Sequence, residues 1–213
     1  MSGASEADAQ VGGSIGPEDQ ARADFYALLA RLYAGAPDAA LLRAIAAAGE
    51  LQVASADEAA KEFARAWRDL AQASEAMNPE AATEEYQDLF VGVGRSEVSL
   101  HASSYLPQPG SNLLADLRSR LAALGLSRRP EVPLYEDHLA TVCEVMRALV
   151  AGAPGVVPVP VAAQREFFFA YVAPWVFACC TAIRNSSIAN YYRRVAEFTQ
   201  LFMAIERDSY AID

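Results

Sequence analysis

The sequence predicts an all-α fold in one domain, and three observations carry that prediction. Alanine, leucine, glutamate and arginine dominate the 213 residues while threonine and isoleucine are sparse, a mixture with strong intrinsic helix preference. Apolar side chains recur at i, i+3, i+4 and i+7 in one segment after another, the spacing of a one-sided helix. Apolar residues make up 53% of the chain, enough to bury a continuous core.

Residues 1–20 are rich in glycine, serine, alanine and acid without periodicity and read as a disordered tail. Within its last turn, Pro17-Glu18-Asp19 already resembles a helix start, with proline in the first turn and acids at the positive end of the dipole. Phe25, Leu28, Leu29, Leu32 and Tyr33 form the first apolar stripe, which Gly35 and Pro37 end. A second helix is predicted over Asp38 to Ala48, and a third carries Phe63, Ala66, Trp67, Leu70 and Ala71. Asn78-Pro79-Glu80 reads as a cap, a first-turn proline and an acid, opening a helix with Tyr86, Leu89 and Phe90 that should stop near Gly92.

From Gly92 to Gly110 the pattern is irregular and predicts an ordered loop lined by Val98, Leu100, Tyr105 and Leu106. Ser111 is the predicted cap of a helix striped by Leu113, Leu114, Leu117, Leu121 and Leu124 and stopped by Gly125. After a connection held by Pro130 and Pro133, the next helix is predicted to start near Tyr135 and to bury Leu139, Val142, Cys143, Met146, Leu149 and Val150. Residues 152–160 contain three prolines and two glycines and read as a hinge. Two long helices follow, one with Phe167, Phe168, Phe169 and Trp175 and a kink at Pro174, the other with Ile188, Tyr191, Tyr192, Val195, Phe198, Phe202 and Ile205. The chain thus divides into a tail (1–20), an N-terminal helical part (21–151), a hinge (152–160) and a C-terminal helical part (161–213).

A formal charge of −10 and a single lysine, Lys61, argue against nucleic acid, because phosphate contacts need clustered cations. An acidic surface instead favours encounter with a cationic peptide, although acidity also serves solubility alone. Residues 1–20 have neither the positive charge nor the apolar run of a secretory signal, so a cytoplasmic location is expected. The apolar run Phe167 to Cys180 is short and interrupted by Pro174, so no membrane helix is predicted. Three cysteines, two of them adjacent at Cys179-Cys180, provide no disulfide framework and read as reduced core residues.

Glu136-Asp137-His138 is the most chemical triplet, since a carboxylate beside an imidazole can orient a proton donor or fix a cationic ligand. The same residues also fit a plain helix start, with acids in the first turn and His138 packed in line with Val142 and Leu149. A metal-dependent helical hydrolase using Asp137 and His138, with His101 as a further ligand, is the enzymatic alternative, and two histidines in the whole chain count against it. Gly92-Val93-Gly94 lacks the third glycine of a dinucleotide loop and follows a helix rather than a strand. Tyr86, Leu89 and Phe90 at helical spacing fit a core stripe or one wall of a ligand groove.

Taken together, Tyr86-x-x-Leu89-Phe90-x-Gly92, the Ser103-Ser104-Tyr105 region, Leu124-Gly125-Leu126 and Glu136-Asp137-His138-Leu139 resemble the TorD/DmsD/NarJ group of molybdoenzyme maturation chaperones. Gln164, Phe167-Phe168, Pro174-Trp175 and Tyr191-Tyr192-Arg193 extend the resemblance in the expected order over about residues 22–207. The resemblance implies an all-helical fold of about ten helices, no catalysis and no cofactor of the protein's own. It implies a partner too: the catalytic subunit of a molybdopterin guanine dinucleotide oxidoreductase, bound through its twin-arginine leader or as apoprotein until cofactor insertion. Carried over by residue, Asp137 and His138 match the binding motif, with Glu136 beside them, and Tyr86, Leu89, Phe90 and Tyr105 match the aromatic segments of the same groove. The family's proline two residues before the aspartate is Tyr135 here. The hinge also allows exchange of the last two helices, so a monomer or a swapped dimer is expected.

Overall fold

The computed structural model describes residues 15–52, 57–92, 94, 96–106, 112–128 and 131–212. Ser111, Pro130 and most of the 1–20 segment lie outside the described residues. Nine α-helical stretches are formed: α1 (Pro17–Ala34), α2 (Ala39–Ala46), α3 (Glu58–Ala76), α4 (Pro79–Tyr86), α5 (Leu113–Ala123), α6 (Leu139–Ala151), α7 (Val161–Phe167), α8 (Ala173–Asn185) and α9 (Tyr191–Ile212). A π-turn fuses α7 to α8, so the described residues make eight helices and no strand. The resemblance implies about ten, a minor difference; the eight helices read along the sequence match the number among the described residues.

Local sequence accounts for most starts. Pro17 sits in the first turn of α1, followed by Glu18 and Asp19. Asp38 caps α2 by accepting from Leu41 N–H at 2.7 Å, and Asn78 caps α4 by accepting from Glu80 and Ala81 N–H at 2.9 and 3.1 Å. α5 follows Asn112, which makes no side-chain cap.

The core is arranged around α9. This helix packs against α3, α8 and α4, while α1 lies along α6 and α2 on α3. Phe25 of α1 meets Phe63 and Trp67 of α3 and Phe198 and Phe202 of α9 with ring centroids 5.4 to 5.8 Å apart. Such aromatic pairs contribute about 0.5–1.5 kcal/mol each beyond their buried area. The first turn of α9 is held from a distance: the buried Glu85 carboxylate accepts the N–H groups of Asn190, Tyr191 and Tyr192 at 2.8, 3.0 and 2.8 Å. Ile188, predicted inside this helix, precedes it and is exposed.

Two π-turns shape the ends that matter. After α4, Gln87–Val91 form a π-helical turn closed by Gly92 N–H on the Gln87 carbonyl at 2.7 Å, with Gly92 at φ 61°, where a side chain would be strained. After α7, Phe168–Val172 form the second, and Ala173 N–H reaches back to the Phe168 carbonyl. The Trp175 indole N–H donates to the Tyr171 carbonyl at 2.7 Å, so a carbonyl in the disturbed turn keeps a partner beside Pro174.

The helix formed by α7 and α8 is longer than the apolar run Phe167 to Cys180 read from the sequence, and Pro174 does not interrupt it. Val161–Asn185 is continuous and, by length and composition alone, apolar enough to cross a membrane, with mean hydropathy 1.6. Pro174 sits in the first turn of α8, directly after the π-turn, and does not end the helix. Phe167, Phe168, Val172, Trp175, Val176 and Ile183 bury one face of it, as in the core helix of a packed domain.

Residues 152–160 are ordered. Ala153 and Val156 exchange backbone bonds, Val159 N–H donates to the Leu149 carbonyl at 2.9 Å, and Gln164 Nε2 donates to the Val159 carbonyl at 3.0 Å. Gly152 has φ 79°, and a Cβ there would stand 2.8 Å from the Val156 carbonyl oxygen.

Candidate functional site

The predicted start of the helix at Tyr135 is four residues early. His138 is the N-cap, with β-region backbone, and its Nδ1 accepts Ala140 N–H at 3.1 Å. Glu136 and Asp137 therefore precede α6 instead of lining its first turn. The Tyr135 carbonyl accepts His138 N–H at 3.2 Å and Thr141 Oγ1–H at 2.9 Å, which closes the turn ahead of α6.

The Glu136–His138 segment docks on the loop at 97–106. Leu139 N–H donates to the Leu100 carbonyl at 2.9 Å, and Ala102 N–H donates to the Asp137 carbonyl at 3.0 Å. An antiparallel bridge pairs His101 with His138, and their rings meet edge to face with centroids 4.9 Å apart. Asp137 is 2% exposed; its Oδ1 lies 3.0 Å from His101 Nδ1, and its Oδ2 accepts Ser103 N–H at 3.2 Å. Burial works to raise the Asp137 carboxyl pKa, but the bonds from His101 and Ser103 together outweigh it and hold it below the ordinary range. Glu136 accepts Arg118 Nε–H and Nη2–H at 2.9 and 3.1 Å, which lowers its pKa against the opposing effect of burial.

His138 is buried, and burial first, then the neighbouring His101, lowers its pKa from 6.5 to about 4. It is neutral at pH 7. Because its Nδ1 accepts a backbone N–H, its proton sits on Nε2, and that nitrogen has no lone pair for a metal. Both Asp137 oxygens are engaged as well, and among the described residues no group of three or more His, Cys, Asp or Glu side chains is placed to hold a metal ion.

The aromatic set occupies the other end of the same loop. Val98 N–H donates to the Leu89 carbonyl at 2.8 Å, so the π-turn after α4 leads directly into the segment that meets Asp137. Tyr86, Leu89 and Phe90 face inward. Leu89 is 0% exposed, and Phe90 packs between Tyr86 and Tyr192 at 5.2 and 4.9 Å. Tyr86 Oη donates to the Tyr33 carbonyl at 3.1 Å and Tyr192 Oη to the Leu32 carbonyl at 2.9 Å, satisfying two carbonyls at the buried C-terminal end of α1. Tyr105 is half-buried, stacks on Trp175 at 6.1 Å and donates to the Ser99 carbonyl at 2.7 Å. The 97–106 loop thus joins the two predicted walls: its start is fixed by the aromatic end and its middle by the acid–histidine segment.

Sequence reasoning missed a second polar cluster. Arg22 donates to Glu206 through Nε and Nη2 at 2.7 and 3.0 Å and also bonds Asp19, Gln164 and Tyr210. Tyr26 Oη adds a bond to Glu206 at 2.9 Å. Arg22 and Glu206 are separated by 184 positions, so no local pattern announces the pair. A shallow cleft of about 520 Å³, lined by Ala39, Leu42, Arg43, Glu75 and Met77, contains none of the predicted site residues. The three cysteines are free and buried, and burial raises the Cys179 thiol pKa to about 12.

Compared with curated proteins, the chain gives no significant match. The sequence model described as nitrate reductase delta subunit matches residues 55–181, more than half of the chain and a span that contains every predicted site residue from Tyr86 to His138. With its all-α fold, the chain belongs to the nitrate reductase delta subunit family of TorD-like molybdoenzyme maturation chaperones.

Proposed function

We propose that this protein is a non-catalytic cytoplasmic chaperone that binds the signal peptide or apo form of a molybdopterin oxidoreductase catalytic subunit and assists cofactor insertion before export or assembly. The observation that carries the reading is the family match over residues 55–181, which spans both the 97–106 loop and the start of α6. A twin-arginine leader joins a cationic head to an apolar stretch, and a net charge of −10 favours its approach. Asp137 and His138 act in this reading by holding the loop in shape, while Glu136 is held by Arg118. Tyr86, Leu89 and Phe90 support the loop from the core side, and Tyr105 and the exposed Tyr135 flank the surface it offers. Exchange of the last two helices between protomers would have to open the bonds that pin 152–160, so the monomer is the form proposed to bind.

Ordering a flexible peptide costs about 2–5 kcal/mol, which places binding near micromolar, roughly −8 kcal/mol. Calorimetric titration with a synthetic peptide spanning the N-terminal segment of the source cell's molybdoenzyme catalytic subunit tests this. The unsubstituted protein is expected to bind, and Asp137→Ala to bind at least tenfold more weakly with its helical content intact. Equal affinity of the two would remove the site.

A further inference from the structure

His101 lies outside the triplet that the resemblance singles out, yet it alone converts the buried carboxylate into a surface feature. Its side chain is 35% exposed, whereas that of Asp137 is 3% exposed, so the carboxylate reaches solvent through the imidazole. An ionised carboxylate only accepts hydrogen bonds; at 3.0 Å from Asp137 Oδ1, His101 Nδ1 must therefore carry the proton. In the neutral form of the ring this leaves Nε2 as a bare acceptor. Among the described residues nothing donates to Nε2. His138 does not compete for the position, because its own Nδ1 is engaged by Ala140 N–H and its ring meets His101 edge to face.

The surroundings fit a hydrogen-bond donor presented by a peptide. Tyr135, 54% exposed, has its ring centroid 6.1 Å from that of His101 and offers an aromatic flank. The Arg118 guanidinium is held by Glu136, and Arg128 Nη1 reaches the Leu134 carbonyl at 3.4 Å, so the nearby cations are directed elsewhere. The loop backbone that carries His101 is fixed on both sides, by Leu100 O on Leu139 N–H and by Ala102 N–H on Asp137 O. An acceptor fixed in tautomer, orientation and backbone position selects for a donor at one point along a bound segment.

We propose that His101 is the specificity-determining contact of this site, accepting an N–H donor of the client segment on Nε2, and that Asp137 is a positioning residue acting through it. The proposal rests on the client-binding reading above and adds the residue that touches the client and the chemistry it reads. A peptide main-chain or side-chain N–H lying along Tyr135 is the ligand group.

The test is calorimetric titration of the same N-terminal client peptide against five forms of the full chain: unsubstituted, His101→Phe, His101→Gln, Asp137→Asn and the double variant His101→Phe with Asp137→Asn. His101→Phe keeps the ring shape without an acceptor and is expected to weaken binding about tenfold; His101→Gln keeps an acceptor and is expected to recover most of that loss. Asp137→Asn is expected to weaken binding in the unsubstituted background and to add nothing in the His101→Phe background, which a purely structural role of Asp137 would not produce. Side-chain nitrogen NMR gives a readout independent of binding: His101 is expected as the Nδ1–H tautomer and His138 as the Nε2–H tautomer, with His101 losing its single tautomer in Asp137→Asn. Binding by His101→Phe equal to that of the unsubstituted protein, or additive losses in the double variant, would overturn the proposal and leave the client-binding reading standing. Failure of the unsubstituted protein to bind would overturn that reading itself.

Discussion

Two buried carboxylates in this protein meet opposite fates. Glu206, 1% exposed, is closed in by the Arg22 guanidinium and the Tyr26 hydroxyl, and every bond it makes leads back into the joint between α1 and α9. Asp137, 2% exposed, is bonded by a loop amide and by an imidazole whose far edge reaches solvent. The first cluster spends its polarity on holding helices together. The second passes its polarity outward through His101. Burial of a charged group therefore does not separate structure from function; what separates them is whether the last partner in the chain of bonds is inside or at the surface.

The comparison can be broken most severely at Arg22. Removing one partner of a buried pair leaves the other charge uncompensated, so Arg22→Ala is expected to cost about 3–5 kcal/mol of stability. Denaturant unfolding checks this, with client affinity of the remaining folded protein unchanged. A loss of affinity without a loss of stability would place Arg22 in the binding surface and erase the distinction.

Acid sharpens the comparison with a somewhat smaller effect. The His138 pKa falls from 6.5 to about 4 on folding because the ring is buried and faces His101. Between these values the unfolded chain binds the additional proton, so this contribution is fully present above about pH 6.5, declines as the pH falls, and is lost by about pH 4. The shift corresponds to about 3 kcal/mol. The lowered pKa values of Asp137 and Glu136 act with the same sign at still lower pH, where protonation would break the bonds from His101, Ser103 and Arg118. Stability measured from pH 7 to 4 should fall in the unsubstituted protein, and His138→Asn, which retains a side-chain cap, should flatten that slope. An unchanged slope in the variant would assign the titration to another group.

The sequence was readable where one turn of chain determines the outcome. Asn78-Pro79 and Asp38 announce helix starts because a short polar side chain reaches an N–H two or three residues on. The apolar stripes of α1, α3 and α6 fall inside as their spacing requires. What resisted reading depends on parts that meet only in three dimensions. Glu85 looks like one acid among several on α4 until α9 brings three N–H groups to it. Tyr86 fits a core stripe or a groove wall by spacing alone, and only the end of α1 supplies the carbonyl that its hydroxyl bonds. His138 gives no start signal because histidine is not among the usual capping residues, so the sequence places the helix start near Tyr135 instead of at Leu139. Of the candidate site, the triplet was legible by resemblance, while His101 was visible only as a possible metal ligand. Its link to Asp137 spans 36 residues and forms only when the loop crosses the start of α6.

Hydrogen exchange of backbone amides, with and without the N-terminal client peptide, tests the central claim most directly. The account predicts added protection across 97–106 and 131–140, where the loop meets the α6 start, with the Arg22–Glu206 joint of α1 and α9 unchanged. Protection confined to the cleft between α2 and α3, or to the exposed face of α8, with none in the loop, would contradict it.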